Sequence, residues 1–154
     1  MAEYTTLIFP TDKCHMPSDE AIARASSYLD ELYLGHYAPV ARKHEKVVFL
    51  DSGADFDRFT CPRCGSTVKM HDPSGWWYSH KWSEVTQEDQ ALKVPCCHAS
   101  VPFRDLGASH LTGFAIFNFE IEGAGEDYLP NQEQLSHVGT LLGCPVRHLI
   151  SVLD

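Results

Sequence analysis

The sequence predicts an α+β fold, a mainly antiparallel sheet with helices on one face, and three observations carry that prediction. Short β-rich runs alternate with two amphipathic helical stretches in the order strand, helix, strand, strand, helix, strand. The run 114–122 alternates toward its end, with Phe117, Phe119 and Ile121 on one side and Asn118, Glu120 and Glu122 on the other, so one face is expected to meet a core and the other water. Between the second and third of these strands the pattern is interrupted by two cysteine pairs, Cys61 with Cys64 and Cys96 with Cys97. They mark an excursion of about residues 59–105, inserted into a single domain that spans 1–154.

The elements follow in order. Tyr4-Thr5-Thr6-Leu7-Ile8-Phe9 is β-branched and aromatic and stops at Pro10, an opening strand. Residues 11–17 are a loop holding Cys14 and His15, read as a partly buried thiol beside a surface imidazole. Ser18 is a good N-cap, Asp19 and Glu20 suit a first turn, and Ile22, Ala25, Leu29, Leu32 and Tyr33 recur at helical spacing until Gly35. Residues 36–46 are mixed and polar and read as a connection with room for a short element of its own. Val47-Val48-Phe49-Leu50 is a buried strand by its continuous apolar run. The carboxylates of 51–57 lack the glycine position and terminal glutamate of a calcium loop, so a solvated turn is expected.

Thirty-one residues, 65–95, separate the cysteine pairs, more than a compact ribbon needs. The surplus holds a turn at Asp72-Pro73-Ser74-Gly75 and the aromatic cluster Trp76, Trp77, Tyr78 and Trp82, on a short helix running toward Gln90, read as packing inward with a binding surface as the alternative. Residues 103–106 suit a helical turn and 107–112 a loop. A last helix starts near Pro130 or Asn131, buries Leu135, Val138, Leu141 and Leu142, and ends at Gly143. After Pro145 the tail 146–153 is expected to be a strand, since Gly143 and Pro145 have closed the helix. No internal repeat or low-complexity tract is evident.

Composition bounds the function. With 21 acidic and 12 basic residues the net charge is −9, and no Lys/Arg run exists, so a phosphate backbone would be repelled and nucleic acid is disfavoured. The N-terminal residues lack a basic region and a signal-like apolar core, and no apolar run reaches eighteen residues, so a cytoplasmic location without a membrane span is expected. In a reducing cytoplasm, spaced cysteines bind metal more often than each other.

Cys61-Pro62-Arg63-Cys64-Gly65 is the firmest chemical signal, because the proline and glycine suit a tight turn whose amides face the sulfurs. A second pair arriving from a distant strand completes a closed, four-thiolate tetrahedral site, so Cys61, Cys64, Cys96 and Cys97 are the expected ligands of a structural Zn²⁺ in a zinc-ribbon-like excursion. Cys96 and Cys97 are adjacent, with Val94 where a standard second knuckle has its first cysteine, and His98 is the substitute ligand if one thiol points away. A thioredoxin-type disulfide is disfavoured because 66–69 reads as extended, not as a helix. Cys144 reads as a small buried hydrophobe. The remaining histidines show no metal-binding spacing, and deaminase, hydrolase and phosphate-loop motifs are absent.

Val94-Pro95-Cys96-Cys97, the stretch 100–106, Gly113-Phe114, the opening Thr5-Thr6-Leu7-Ile8-Phe9-Pro10, the Trp76-Trp77 pair and Leu141-Leu142-Gly143-Cys144-Pro145 together resemble an uncharacterised family of bacterial zinc-ribbon-containing proteins. The similarity covers most of the chain. It departs at His98, where the family has glycine, and at Gly107-Ala108-Ser109-His110, where the family has a Tyr-Asp-Trp-Pro-like stretch. The resemblance implies a cytoplasmic zinc-ribbon protein of unassigned activity; by analogy, some small acidic bacterial proteins are immunity proteins against toxins. The leading expectation is a non-enzymatic protein that binds a basic protein partner. The alternatives are a zinc-ribbon module working with nucleic acid or transcription machinery, and a metal-dependent enzyme whose zinc keeps an open position.

Overall fold

The computed structural model describes residues 3–52, 57–69, 85, 87–106, 112–124 and 128–153. The fold is α+β and mainly antiparallel. The chain divides into two compact units, 1–48 with 115–154, and 49–114.

The first unit is built on strands β1 (Glu3–Pro10), β2 (Pro39–Asp51), β7 (Thr112–Glu122) and β8 (Val146–Leu153), in the sheet order β2-β7-β1-β8. β1 is antiparallel to β7, with Ile8 opposite Phe119 and Thr6 opposite Ile121, and antiparallel to β8 along its whole length, from Glu3 opposite Leu153 to Pro10 opposite Val146. Helix α1 (Asp19–Leu32) starts at Ser18, whose hydroxyl accepts from the Ala21 amide at 3.2 Å, with Asp19 and Glu20 in the first turn as the dipole favours. Helix α2 (Gln132–Leu142) opens on a reciprocal capping box between Asn131 and Gln134 and closes at Gly143, in the left-handed region at φ 83°.

Both helices bury their apolar stripes on one face of the sheet. Ile22, Ala25 and Leu29 of α1 and Leu135, Val138 and Leu142 of α2 join Ile8, Phe117, Phe119 and Ile121 in one core. Each fully buried large side chain there contributes about 1.5–3 kcal/mol. Phe117 and Phe119 meet edge to face at 5.1 Å.

Two readings change in this unit. Within the expected connection at 36–46, residues 39–46 are the first half of β2, a thirteen-residue edge strand and not merely a short element, whose Arg42, Lys43, Glu45 and Lys46 are exposed. Backbone pairing with β7 and polar contacts hold it, so it shows no hydrophobic alternation: Arg42 Nε donates to Glu120 at 3.2 Å and Lys43 pairs with Asp19. Charged residues on an edge strand also discourage further pairing. The second face of β7 meets water at Glu122 and partly at Glu120, but not at Asn118. Asn118 is 1% exposed, and its amide oxygen accepts from His44 Nε2 at 2.7 Å.

The second unit carries two short antiparallel hairpins, β3 (Arg58–Thr60) with β4 (Thr67–Lys69), and β5 (Ala91–Lys93) with β6 (Ser100–Pro102). A 3-10 turn, Phe103–Leu106, follows β6 as the sequence predicts. Phe49, Phe103 and Phe114 pack mutually at centroid separations of 5.5, 5.4 and 5.6 Å. Phe59, Val85, Leu92, Val94 and Val101 are buried. The tryptophan cluster and the 107–111 part of the expected loop lie outside the described residues, as do 53–56 of the expected 51–57 turn. Of the expected helix toward Gln90, residues 87–90 form a turn in which the Gln90 amide bonds the Gln87 carbonyl at 3.3 Å.

Candidate metal centre

The first cysteine turn is set by backbone bonds. At the end of β3 the Cys61 amide donates to the Ser66 carbonyl at 2.9 Å, and the Gly65 amide donates back to the Cys61 carbonyl at 2.9 Å. Gly65 sits at φ 76°, which a residue without Cβ adopts freely, and that reversal sends the chain back into β4. The closed turn directs the Arg63 and Cys64 amides at the Cys61 sulfur and the Ser66 amide at the Cys64 sulfur.

The second turn repeats this layout thirty-three residues later. The Val94 amide donates to the Ala99 carbonyl at 3.0 Å, the His98 amide donates to the Val94 carbonyl at 3.0 Å, and His98 is left-handed at φ 64°. Val94 therefore stands where Cys61 stands, Pro95 where Pro62, Cys96 where Arg63, Cys97 where Cys64, and His98 where Gly65. The flanking registers agree, Leu92 opposite Val101 as Phe59 is opposite Val68. The two turns thus repeat each other in backbone structure, without a repeat in the sequence. Only Pro, Cys and Val recur at matching positions (Pro62 and Pro95, Cys64 and Cys97, Val68 and Val101), too little to register in the sequence.

The two turns bring Cys61, Cys64, Cys96 and Cys97 together, with all four sulfurs within 4.8 Å of one another and Cys61 Sγ 3.9 Å from Cys97 Sγ. A zinc–sulfur bond of about 2.3 Å gives a tetrahedral sulfur–sulfur edge of about 3.8 Å. The 3.9 Å edge is compatible with a metal–thiolate tetrahedron, whereas a disulfide requires about 2.05 Å. None of the six cysteines is paired as a disulfide. The four residues could hold one metal ion. Cys61 is buried and the other three are exposed, so the cluster lies at the surface.

The thiols divide electrostatically into two pairs. The Cys64 amide, then that of Arg63, stabilise the Cys61 thiolate and lower its pKa against desolvation; the Ser66 hydroxyl and amide bring Cys64 down to about 6. Desolvation, then the sulfurs and charges of Cys64 and Cys61, push Cys96 up to about 12. Cys97 receives the Ala99 amide, yet desolvation and the first pair outweigh it and its pKa rises. The first turn thus favours the thiolate form and the second disfavours it, a penalty that a bound cation would offset.

The other singled-out residues lie elsewhere. His98 is exposed and outside the four-sulfur group, serving as the left-handed turn residue. Cys14 and His15 reverse their expected exposures: the thiol is exposed, and the half-buried imidazole has its Nε2 enclosed without a partner among the described residues. The Asp12 side chain holds that turn, accepting from the Cys14 amide at 3.0 Å. Cys144 is half-buried against the core of the first unit, and desolvation followed by the Asp12 charge raises its pKa. Among the described residues the four cysteines are the one group of three or more potential metal ligands, and no helix is long and apolar enough to cross a membrane. Comparison of the chain with protein-family models, with curated proteins and with solved structures finds no match.

Proposed function

We propose that Cys61, Cys64, Cys96 and Cys97 bind one Zn²⁺ as a structural site, in a zinc-ribbon-like arrangement of two hairpin turns, within a non-enzymatic bacterial protein that binds another protein. The observation that carries the metal reading is the sulfur cluster itself, with all four atoms inside 4.8 Å and one edge of 3.9 Å. Four thiolates close a tetrahedron and leave no position for water, which favours a structural over a catalytic zinc. The hairpins β3–β4 and β5–β6 are three residues per strand, too short to be stable alone, so a shared metal supplies what their packing lacks.

The net charge of −9 supports the partner class. An acidic surface accelerates encounter with a basic protein and repels nucleic acid. An immunity-type, toxin-neutralising role in the cytoplasm fits that charge and the family resemblance of the two cysteine turns. The test is metal analysis of protein purified without added zinc, for the parent, Cys61→Ser and Cys97→Ser. About one zinc per parent chain, lost in both variants, supports the site. Cobalt exchange separates the readings of geometry: strong sulfur-to-cobalt charge transfer with a tetrahedral visible spectrum indicates four sulfurs, and a five-coordinate spectrum indicates an open position. A metal-free parent would overturn the proposal.

A further inference from the structure

We infer that the cleft at the carboxyl end of α1 is a docking site for one apolar side chain of a basic peptide segment, Leu or Phe beside Lys or Arg, on a protein partner. This deepens the protein-binding half of the proposed function and is independent of the metal.

The cleft encloses about 230 Å³, and its lining includes Tyr33, Leu34, His36, Tyr37, Tyr128 and Leu129. That is smaller than the roughly 300–1,000 Å³ of pockets that enclose a drug-sized ligand or cofactor, and it suits a single side chain. Leu34 and Tyr128, at 80% and 55% exposure, are the two most exposed large apolar residues among those described, and both line this one cleft. Isolated exposed apolar residues are ordinary, but their convergence on one concavity is not. Tyrosines form its wall: Tyr37 meets Tyr33 edge to face at 6.0 Å and Tyr128 at 5.5 Å. Such amphipathic rings are enriched where binding energy concentrates. Gly123 keeps the wall in place, since a Cβ there would press to 3.3 Å from the Tyr37 ring.

A further feature points outward. Leu34 is left-handed at φ 54°, a strained conformation for a leucine, and the side chain gains no burial in return. The charge of the occupant follows from α1, whose last turn holds the exposed Asp30 and Glu31 and no basic residue. Carboxylates at the negative end of a helix dipole are disfavoured there, so a cation from outside offsets the repulsion.

The test is a nitrogen-15 NMR titration of the full chain at low salt with two capped peptides, acetyl-Lys-Leu-Phe-Arg-amide and acetyl-Glu-Leu-Phe-Glu-amide. The expected result is shifts concentrated at residues 32–37, 128, 129 and 134, with the basic peptide at least about tenfold tighter. Tyr128→Ala weakens that binding about tenfold. Asp30→Asn with Glu31→Gln abolishes the preference for the basic peptide. Leu34→Gly, which relieves the backbone, raises the melting midpoint by about 2 °C yet weakens binding, a pairing that a purely structural leucine would not produce. Basic-peptide shifts confined to another surface would overturn the cleft and leave the protein-binding reading standing. No binding of the basic peptide anywhere would count against both, and equal binding of the acidic peptide would overturn the choice of occupant.

Discussion

Cys64 and Cys97 hold the same position in two equivalent turns. Each sulfur receives the amide of the residue two places on, Ser66 or Ala99, and each cysteine is followed by a left-handed residue, Gly65 at 76° or His98 at 64°. Their partners break the symmetry: Cys61 opens the first turn, but Cys96 sits one place before Cys97, where the first turn has the exposed Arg63.

His98 therefore occupies a glycine position, and the two contributions to its replacement can be weighed. Left-handed strain costs a residue with a Cβ about 1–2 kcal/mol, and glycine's greater unfolded freedom costs about 0.5–1 kcal/mol. His98→Gly is expected to stabilise the protein by about 0.5–1 kcal/mol in chemical denaturation, with metal content per chain unchanged. Loss of metal in this variant would make the imidazole a ligand.

The offset of Cys96 predicts that the fourth sulfur can be moved. Val94 is buried at the place corresponding to Cys61, so Val94→Cys combined with Cys96→Ser restores the regular spacing and should keep metal content equal to the parent's, while Cys96→Ser alone lowers retention against a chelator. If the double variant loses metal as readily as the single one, the proposed equivalence of the two turns fails.

Gly139 gives a case in which the usual sign reverses. Within a helix, Gly→Ala gains about 1 kcal/mol. Here a Cβ would stand 2.7 Å from the Cys144 carbonyl oxygen, because the chain folds back so that the Gly143 and Cys144 amides both donate to the Gly139 carbonyl, at 2.8 and 3.0 Å. A backbone atom cannot swing aside, and overpacking costs about 1–3 kcal/mol or more. Gly139→Ala should destabilise by about 1–2 kcal/mol in urea unfolding. A stabilised variant would show that the α2–β8 connection yields readily.

Tyr33 links burial to alkaline stability. Desolvation raises its pKa from 10 to about 12, so the folded state resists ionisation that the unfolded chain undergoes freely. A raised folded value means that its stabilising contribution is complete below pH 10 and is lost as the pH climbs toward 12. Tyr33→Phe removes both that loss and an unpartnered hydroxyl, and is expected to stabilise by about 1 kcal/mol at neutral pH and more above pH 10. Equal alkaline unfolding midpoints for parent and variant would contradict this.

The elements legible in the sequence were those whose cause is local. Ser18 and Asn131 cap their helices through side chains within three residues, Gly143 ends α2 by its own backbone freedom, and Phe117, Phe119 and Ile121 declare their buried face by alternation. The first half of β2 was illegible because Arg42, Lys43, Glu45 and Lys46 are exposed on an edge strand that a neighbouring strand's backbone holds in place. The burial of Asn118 was equally hidden, since its partner His44 lies seventy-four residues away in the chain.

The sequence by itself determined the α+β class, both helices and their caps, and the four cysteines as the candidate ligand set, because capping, periodicity and close cysteine spacing act over a few residues. Only the tertiary structure decided that β2 begins at Pro39, that the turns at Cys61–Cys64 and at Cys96–Cys97 are the same turn with one cysteine displaced, and that their sulfurs lie close enough together that one metal ion could reach all four. These depend on hydrogen bonds and contacts between segments far apart in the chain, and residue identity records such contacts weakly: His98 can stand where Gly65 stands because the backbone, not the side chain, makes the turn.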